Sequence, residues 1–481
     1  MSSRWLVVGM LTSLALAASP PRLPLLYAGS PWTPNQAATL RRWAQQTWRF
    51  FLADPNSATD LPRDALGFDG APGNSATSPT DIAMYFWAVV AATQLHLISS
   101  EEGLRLARRE LEAVARLETW HGFLLSWYDT ATGAPLPAPG AAPMTSLVGA
   151  FISSVDNGWY ASSLVLLRQA FPPLAPLADR LLQAMNFGRF YDPANGQLAG
   201  GYTVGQGRSS WAYGNLNTDP RIAIYMGIGT RTLPGLVWWK TWRTLPASLT
   251  WQTQKPRGVW VTYSGPWTHQ THRVYEGHYR YGPWTYVPSW GGSAFEALMA
   301  PLVVPEAAWG QKNFGLNDLN YAEASIADAH ALGLSVWGLS PASVPGSSGA
   351  YRTYGAYPLG SGGPQNAYAH TAVAPYAAAL ALPWVPQAAY RDLKTLALKD
   401  HLLGPEGFFD SVDPKTGVIA PRYLILDQGM ILASIDDALE AGGLQRYFAE
   451  DPVGRRVQPY LELERFSIQP VGSVHRGDLA P

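Results

Sequence analysis

T-D-I-A-M-Y-F-W-A-V-V-A-A-T-Q-L-H-L-I, residues 80–98, is apolar around nearly its whole circumference, whereas E-E-G-L-R-L-A-R-R-E-L-E-A-V-A-R-L-E, residues 101–118, is not. In the second segment Leu104, Leu111, Val114 and Leu117 make one stripe and charges fill the other faces, the pattern of an amphipathic helix. The first therefore predicts a helix enclosed on every side and the second a helix with one face in water. The pairing recurs at 157–171 with 174–186, and at 370–382 with 388–403, where Arg391, Asp392, Lys394 and Lys399 mark the outer member. Enclosed helices alternating with amphipathic ones predict an all-α fold of the α/α toroid kind, inner helices touching their neighbours and outer helices facing water. Further helices are expected at 35–53, 220–230, 293–304, 319–332 and 428–441.

Between these segments run long loops, 202–217, 251–290 and 337–368, which contain much of the Gly, Pro and aromatic content. Loops of that length in a compact domain are functional or disordered, and their aromatic content argues for function. The run V-W-V-T-Y at 259–263 predicts small β-hairpins. No Gly/Ser linker divides the chain, so 18–481 is expected to form a single domain.

Arg4 and the apolar run 5–17, ending Ala15-Leu16-Ala17, have the layout of a secretory signal peptide. Residues 1–17 are read as that signal, and the protein as secreted or periplasmic. No later stretch reaches the roughly 20 uninterrupted apolar residues of a spanning helix. The absence of cysteine excludes disulfides, thiolate metal sites and a cysteine nucleophile. With 34 basic and 35 acidic residues there is no electrostatic case for nucleic acid or an anionic membrane, so a neutral partner and a monomeric protein are expected. Charged residues are 14% of the chain and aromatics 12%, with 20 Trp and 23 Tyr, a composition suited to sugar C–H faces and hydroxyls.

In V-P-S-W-G-G-S-A-F-E-A-L-M-A-P-L-V-V-P, 287–305, the only charge is Glu296, one turn past Ser293, a candidate cap. A lone carboxylate there is either a paired structural acid or an acid beside Trp290, a natural sugar platform. Asp156, Asp219, Asp410 and Asp427 stand at helix starts or tight loops, where Asp also serves as a cap; Pro220 after Asp219 fits that role. Glycosidic hydrolysis needs one protonated and one ionised carboxyl. On an apolar helix Glu296 is the candidate for the raised pKa, and Asp156, near helix N–H groups, is expected to remain ionised. His269 and His272 lack the pattern of a zinc helix, no phosphate loop or dinucleotide fingerprint is present, and no G-x-S-x-G elbow occurs.

Eight motifs appear in an order similar to that of the bacterial glucoamylase-like family, which is related to secreted endo-β-1,2-glucanases and to the transglycosylating domain of cyclic β-1,2-glucan synthases. They are T-S-P-T-D-I-A-M-Y (77–85), L-S-W-Y-D-T (125–130), S-S-V-D-N-G (153–158), W-G-G-S-A-F-E-A-L-M (290–299), V-W-G-L-S-P (336–341), Y-R-T-Y-G (351–355), V-A-P-Y-A-A-A-L-A-L (373–382) and L-D-Q-G-M (426–430). The resemblance implies an (α/α)6 toroid with no cofactor and no metal, hydrolysing a β-linked glucan, foremost β-1,2-glucan. It makes Glu296 the general acid and Asp156 or Asp427 its partner. Trp127, Tyr128, Trp290, Trp337 and Tyr351 are then sugar platforms, Arg221 and Arg352 orient hydroxyls or carboxylates, Asp219 and Asp410 line the cleft, and Glu276 is a further acid. Where the family's glucanases carry acids after the Asp-Asn-Gly turn, this chain reads Y-A-S-S at 160–163, which leaves a non-catalytic carbohydrate-binding protein as the alternative.

Overall fold

The structure, a computed structural model, describes residues 30–471 apart from 72 and 348; the signal assigned to 1–17 lies outside the described residues. It is mostly helical with small antiparallel hairpins. The helices are α1 (Pro34–Ala53), α2 (Pro79–Gln94), α3 (Ser100–Val114), α4 (Ser154–Ala170), α5 (Ala175–Gln183), α6 (Arg221–Gly229), α7 (Leu236–Lys240), α8 (Ala294–Leu298), α9 (Glu306–Trp309), α10 (Phe314–Ala331), α11 (Pro375–Leu380), α12 (Pro386–Leu398), α13 (Ile425–Glu440), α14 (Gly443–Glu450) and α15 (Pro452–Leu463).

Local chemistry sets the boundaries. Ser78 and Asp81 form a capping box that starts α2, with Pro79 in the first turn, and every residue from Pro79 to Ala92 is buried. Helix α3 buries Gly103, Leu106, Ala107, Glu110, Leu111, Ala113 and Val114, leaving the rest to solvent. The expected helix at 293–304 is shorter: α8 ends at Leu298, and Pro301 lies in a 3-10 turn from Ala300 to Leu302. The helix expected from 370 begins only at Pro375, where proline suits a first turn. The V-W-V-T-Y run lies in the strand Arg257–Ser264, which pairs with Thr271–Tyr281, which in turn pairs with Trp284–Tyr286.

Helix α2 packs on α13 and α4, α4 on α6, and α11 on α13 and α8. Arg221 of α6 joins α8 by donating to the backbone carbonyls of Glu296 and Ala297. Helices α1, α3, α5, α12 and α15 lie against this set, on α13, α2, α4, α11 and α6 respectively. The N-terminal turns of the inner helices meet. The Thr80 hydroxyl of α2 bonds Asp156 of α4, Asp219 before α6 feels the charge of Glu296 on α8, and Tyr376 of α11 feels Asp427 of α13. No helix among the described residues is long and apolar enough to cross a membrane.

Candidate active site

The Trp-Gly-Gly loop is folded around Glu296. Ser293 caps α8 by accepting from the Glu296 amide, and the Glu296 carboxylate accepts from Ser289 Oγ at 2.7 Å, the Gly291 amide at 2.9 Å and the Tyr368 hydroxyl at 3.0 Å. The two glycines make that closeness possible. A Cβ on Gly291 would lie 2.1 Å from the Tyr368 ring, and one on Gly292, whose φ is +82°, would lie 2.0 Å from the Ala356 carbonyl oxygen. Glu296 is 6% exposed, and the groups around it use it as an acceptor.

Asp219 and Asp156 share its surroundings. Each keeps part of its surface accessible while being hemmed in on nearly all sides. Burial pushes the Asp219 carboxyl well above the usual range, and the neighbouring charges of Glu296 and Asp156 push it further; Arg221 opposes them only weakly. Asp219 is not the cap of α6, which starts after Pro220 without a side-chain cap. Asp156 sits in the first turn of α4, where Ser153 is the cap; it accepts from Thr80 Oγ1 at 3.0 Å. From the sequence Asp156 is expected to remain ionised beside the helix N–H groups; burial outweighs the Thr80 and Ser153 bonds and raises its pKa above the usual value. Tyr213 stands between the two acids electrostatically and meets Trp211 edge-on at 5.1 Å.

A second acid pair lies at the start of α13. Asp410 is fully buried and accepts from the Ser343 amide at 2.9 Å; Asp427 is 2% exposed and no protein donor reaches either of its oxygens. What faces Asp427 is the Asp410 carboxyl, so the bond between them requires a proton. Burial raises both, and the Asp410 charge raises Asp427 well above the usual range. Folded-state values above the unfolded value of about 3.9 mean that the stability this pair contributes is complete below that pH and is lost as pH rises toward the folded values. Asp427→Asn keeps a donor for Asp410 and has no proton to lose. Calorimetry is expected to find the variant melting with wild type near pH 4 and at least about 2 °C higher near pH 7.5. Identical melting at both pH values would rule out a shared proton.

Several residues expected to meet substrate are buried against protein. Tyr128 is fully buried, its hydroxyl donating to the Glu118 carbonyl and accepting from the Leu125 amide, both at 2.7 Å. Trp337 is 5% exposed and packed in the core, its amide bonded to Asp392. Arg221 is fully buried and bonded bidentately to Glu306 of α9 at 2.8 and 3.0 Å and to two carbonyls of α8, so it ties α6 to both and is committed to protein. Glu276 is fully buried in the hairpin, 3.9 Å from Arg243 and raised by burial and by Glu464. Trp127 is half-buried at the start of the middle strand of a three-stranded sheet, and Trp290 is half-buried against Trp251, with ring centroids 6.2 Å apart. Tyr351 and Arg352 are exposed, and Tyr351 feels Asp427 and Asp410.

Residue-by-residue reading passed over Trp211, Tyr213 and Tyr368. Trp211 is 50% exposed and lies so close to Gly200 that a Cβ there would be 1.8 Å from its ring. With Arg189, Tyr202 and Arg208 it walls a recess of about 480 Å³. Only the aromatic richness of the 202–217 loop pointed to this.

Comparison with known proteins agrees with the motif order. Residues 309–452 match the family described as "Putative glucoamylase", and residues 42–219 match a protein family of unknown function, DUF3131. The chain is 29% identical over 189 residues to cyclic beta-(1,2)-glucan synthase NdvB of Rhizobium meliloti (strain 1021), an alignment covering 32% of this chain and 6% of the synthase. Among solved structures, the endo-beta-1,2-glucanase from Chitinophaga pinensis, in complex with sophorotriose and glucose, superposes with a TM-score of 0.66 at 16% identity, over 88% of this chain and 98% of that one. The endo-beta-1,2-glucanase from Talaromyces funiculosus, in complex with sophorose, gives 0.63 at 11% identity, over 92% and 96%. The chain is glucoamylase-like in sequence and shares its fold with these glucanases.

Proposed function

We propose, from a glucoamylase-like chain on a fold shared with endo-β-1,2-glucanases, that this protein is an exported, single-domain glycoside hydrolase cleaving β-linked glucan internally, with β-1,2-glucan as its substrate. The neighbour contacts from α2 through α4, α6, α8, α11 and α13 back to α2 support an (α/α)6 toroid. The observation that carries the reading is that Asp219, just before α6, feels the charges of Asp156 in the first turn of α4 and Glu296 in the first turn of α8.

In this reading the proton donor is Asp219 rather than Glu296. Asp219 holds its proton because it is crowded by protein and by two acids, and donation to the glycosidic oxygen is the step such a group performs. Asp156, bonded by Thr80 and Ser153, acts as the partner carboxylate. Glu296 supplies part of the charge that keeps Asp219 protonated, and it ties the Trp290 loop in place. Asp427, paired with Asp410, sets the shape beneath Tyr351. Trp211, Trp290 and Tyr351 offer ring faces to sugars.

The test is incubation of purified protein with linear β-1,2-glucan, with β-1,3- and β-1,4-glucans alongside. Reducing ends are expected from β-1,2-glucan, appearing first as oligosaccharides of mixed length. Release from another glucan alone overturns the linkage. Binding of oligosaccharide without release from any glucan overturns hydrolysis and leaves a carbohydrate-binding protein.

A further inference from the structure

Beside α1, α2 and α3 lies a pocket of about 280 Å³ whose walls share no residue with the acids around Asp219. Its floor holds Glu110, which is 1% exposed with neither carboxyl oxygen in a hydrogen bond. A buried, unbonded carboxyl is costly to keep, and unlike Asp427, which faces Asp410, Glu110 lines a pocket. Tyr85 also lines the pocket, and Phe51 and Leu106 supply apolar wall.

Charge narrows what fits. At the mouth Arg109 pairs with Asp60, and Arg105 with Glu102 at 2.6 Å, so the two guanidinium charges are already answered. Burial raises the Glu110 carboxyl well above the usual range, and Asp60 and Asp54 raise it further, which favours the neutral form with its one donor and one free acceptor. With both arginines paired and burial pushing Glu110 toward its neutral form, the pocket offers no unanswered charge to hold an anion or a cation. The volume falls just under the range for drug-sized ligands, and the lining mixes hydroxyl, carboxyl and apolar surface.

We propose that this pocket is a second binding site, seating a small neutral polyol of monosaccharide size whose hydroxyls bond the Glu110 carboxyl and the Tyr85 hydroxyl and whose C–H face rests on Phe51 and Leu106. It stands apart from the reading of the Asp219 site, since its residues and its ligand do not depend on what that site cleaves.

D-Glucose is the probe. Titration calorimetry of the whole chain is expected to show a glucose site that Glu110→Leu weakens about tenfold or more, the loss of about one good hydrogen bond, and that Glu110→Gln weakens about threefold or less. Turnover of glucan is expected to be the same in both variants as in wild type. Crystals of the wild-type chain soaked in glucose provide a measurement that does not depend on the variants folding. Density for the sugar against Glu110 supports the site. Glucose bound equally by wild type and Glu110→Leu, or density elsewhere only, overturns it.

Discussion

Asp219→Asn is expected to slow glucan cleavage by about 10²- to 10⁴-fold, the range that a positioned proton donor contributes. The physical basis is the crowding of Asp219 by protein and by the charges of Glu296 and Asp156, which together raise its carboxyl well above the usual range. Asparagine is nearly isosteric and keeps the contacts but cannot give up a proton. Two further readouts separate this role from a structural one. A glycoside with a leaving group too weakly basic to need protonation should lose far less rate, and the fall in kcat/KM on the alkaline side of the wild-type profile should disappear. The fold should not suffer. The folded pKa of Asp219 lies above its unfolded value, so its stabilisation is complete below about pH 3.9 and is lost as pH rises; at neutral pH the asparagine variant should unfold at an equal or higher urea concentration. An unchanged rate on glucan would remove Asp219 from the chemistry.

The largest stability effect is expected at Arg221→Leu, a loss of about 3–5 kcal/mol in urea unfolding, because removing one member of a buried ion pair leaves the other without a partner. Arg221 and Glu306 are both fully buried, and the Tyr225 hydroxyl also donates to Glu306 at 2.7 Å. The same guanidinium donates to the Ala297 carbonyl at 2.7 Å and to the Glu296 carbonyl at 3.1 Å, so its loss also frees α8 from α6. The double variant Arg221→Leu with Glu306→Leu should recover much of the stability, since no charge is then stranded. It should not recover glucan cleavage, because α8, with Glu296, has lost its brace. A single variant as stable as wild type would mean that Glu306 finds another partner.

The alternation of enclosed and amphipathic segments was legible because it is a local property. Any stretch such as 80–98, which offers apolar side chains at every angle of a 3.6-residue turn, has to be surrounded. Helices α14 and α15 escaped that reading. Their amphipathic segments carry Arg446, Arg455 and Arg456, and α15 contains Pro459, a residue that argues against a helix until neighbouring packing is known. The odd carboxylate at Glu296 was also legible, and so was its cap, since Ser293 and Glu296 have capping-box spacing.

What those residues do was decided by partners far along the chain. Tyr368, 72 positions after Glu296, completes the donors to its carboxylate, and Glu306, 85 positions after Arg221, turns an expected ligand-binding arginine into a brace. Glu276 looked like a spare acid until Arg243 and Glu464 were found beside it. The amino-acid order alone determined that the chain would wind into enclosed and outer helices and that carboxylates would stand at their starts, because turn periodicity and capping act over a few residues. Only the tertiary structure decided how far each carboxyl is pushed from its usual range. That depends on burial and on charges brought together from separate helices, and Asp219 acquires both only when α4, α6 and α8 meet.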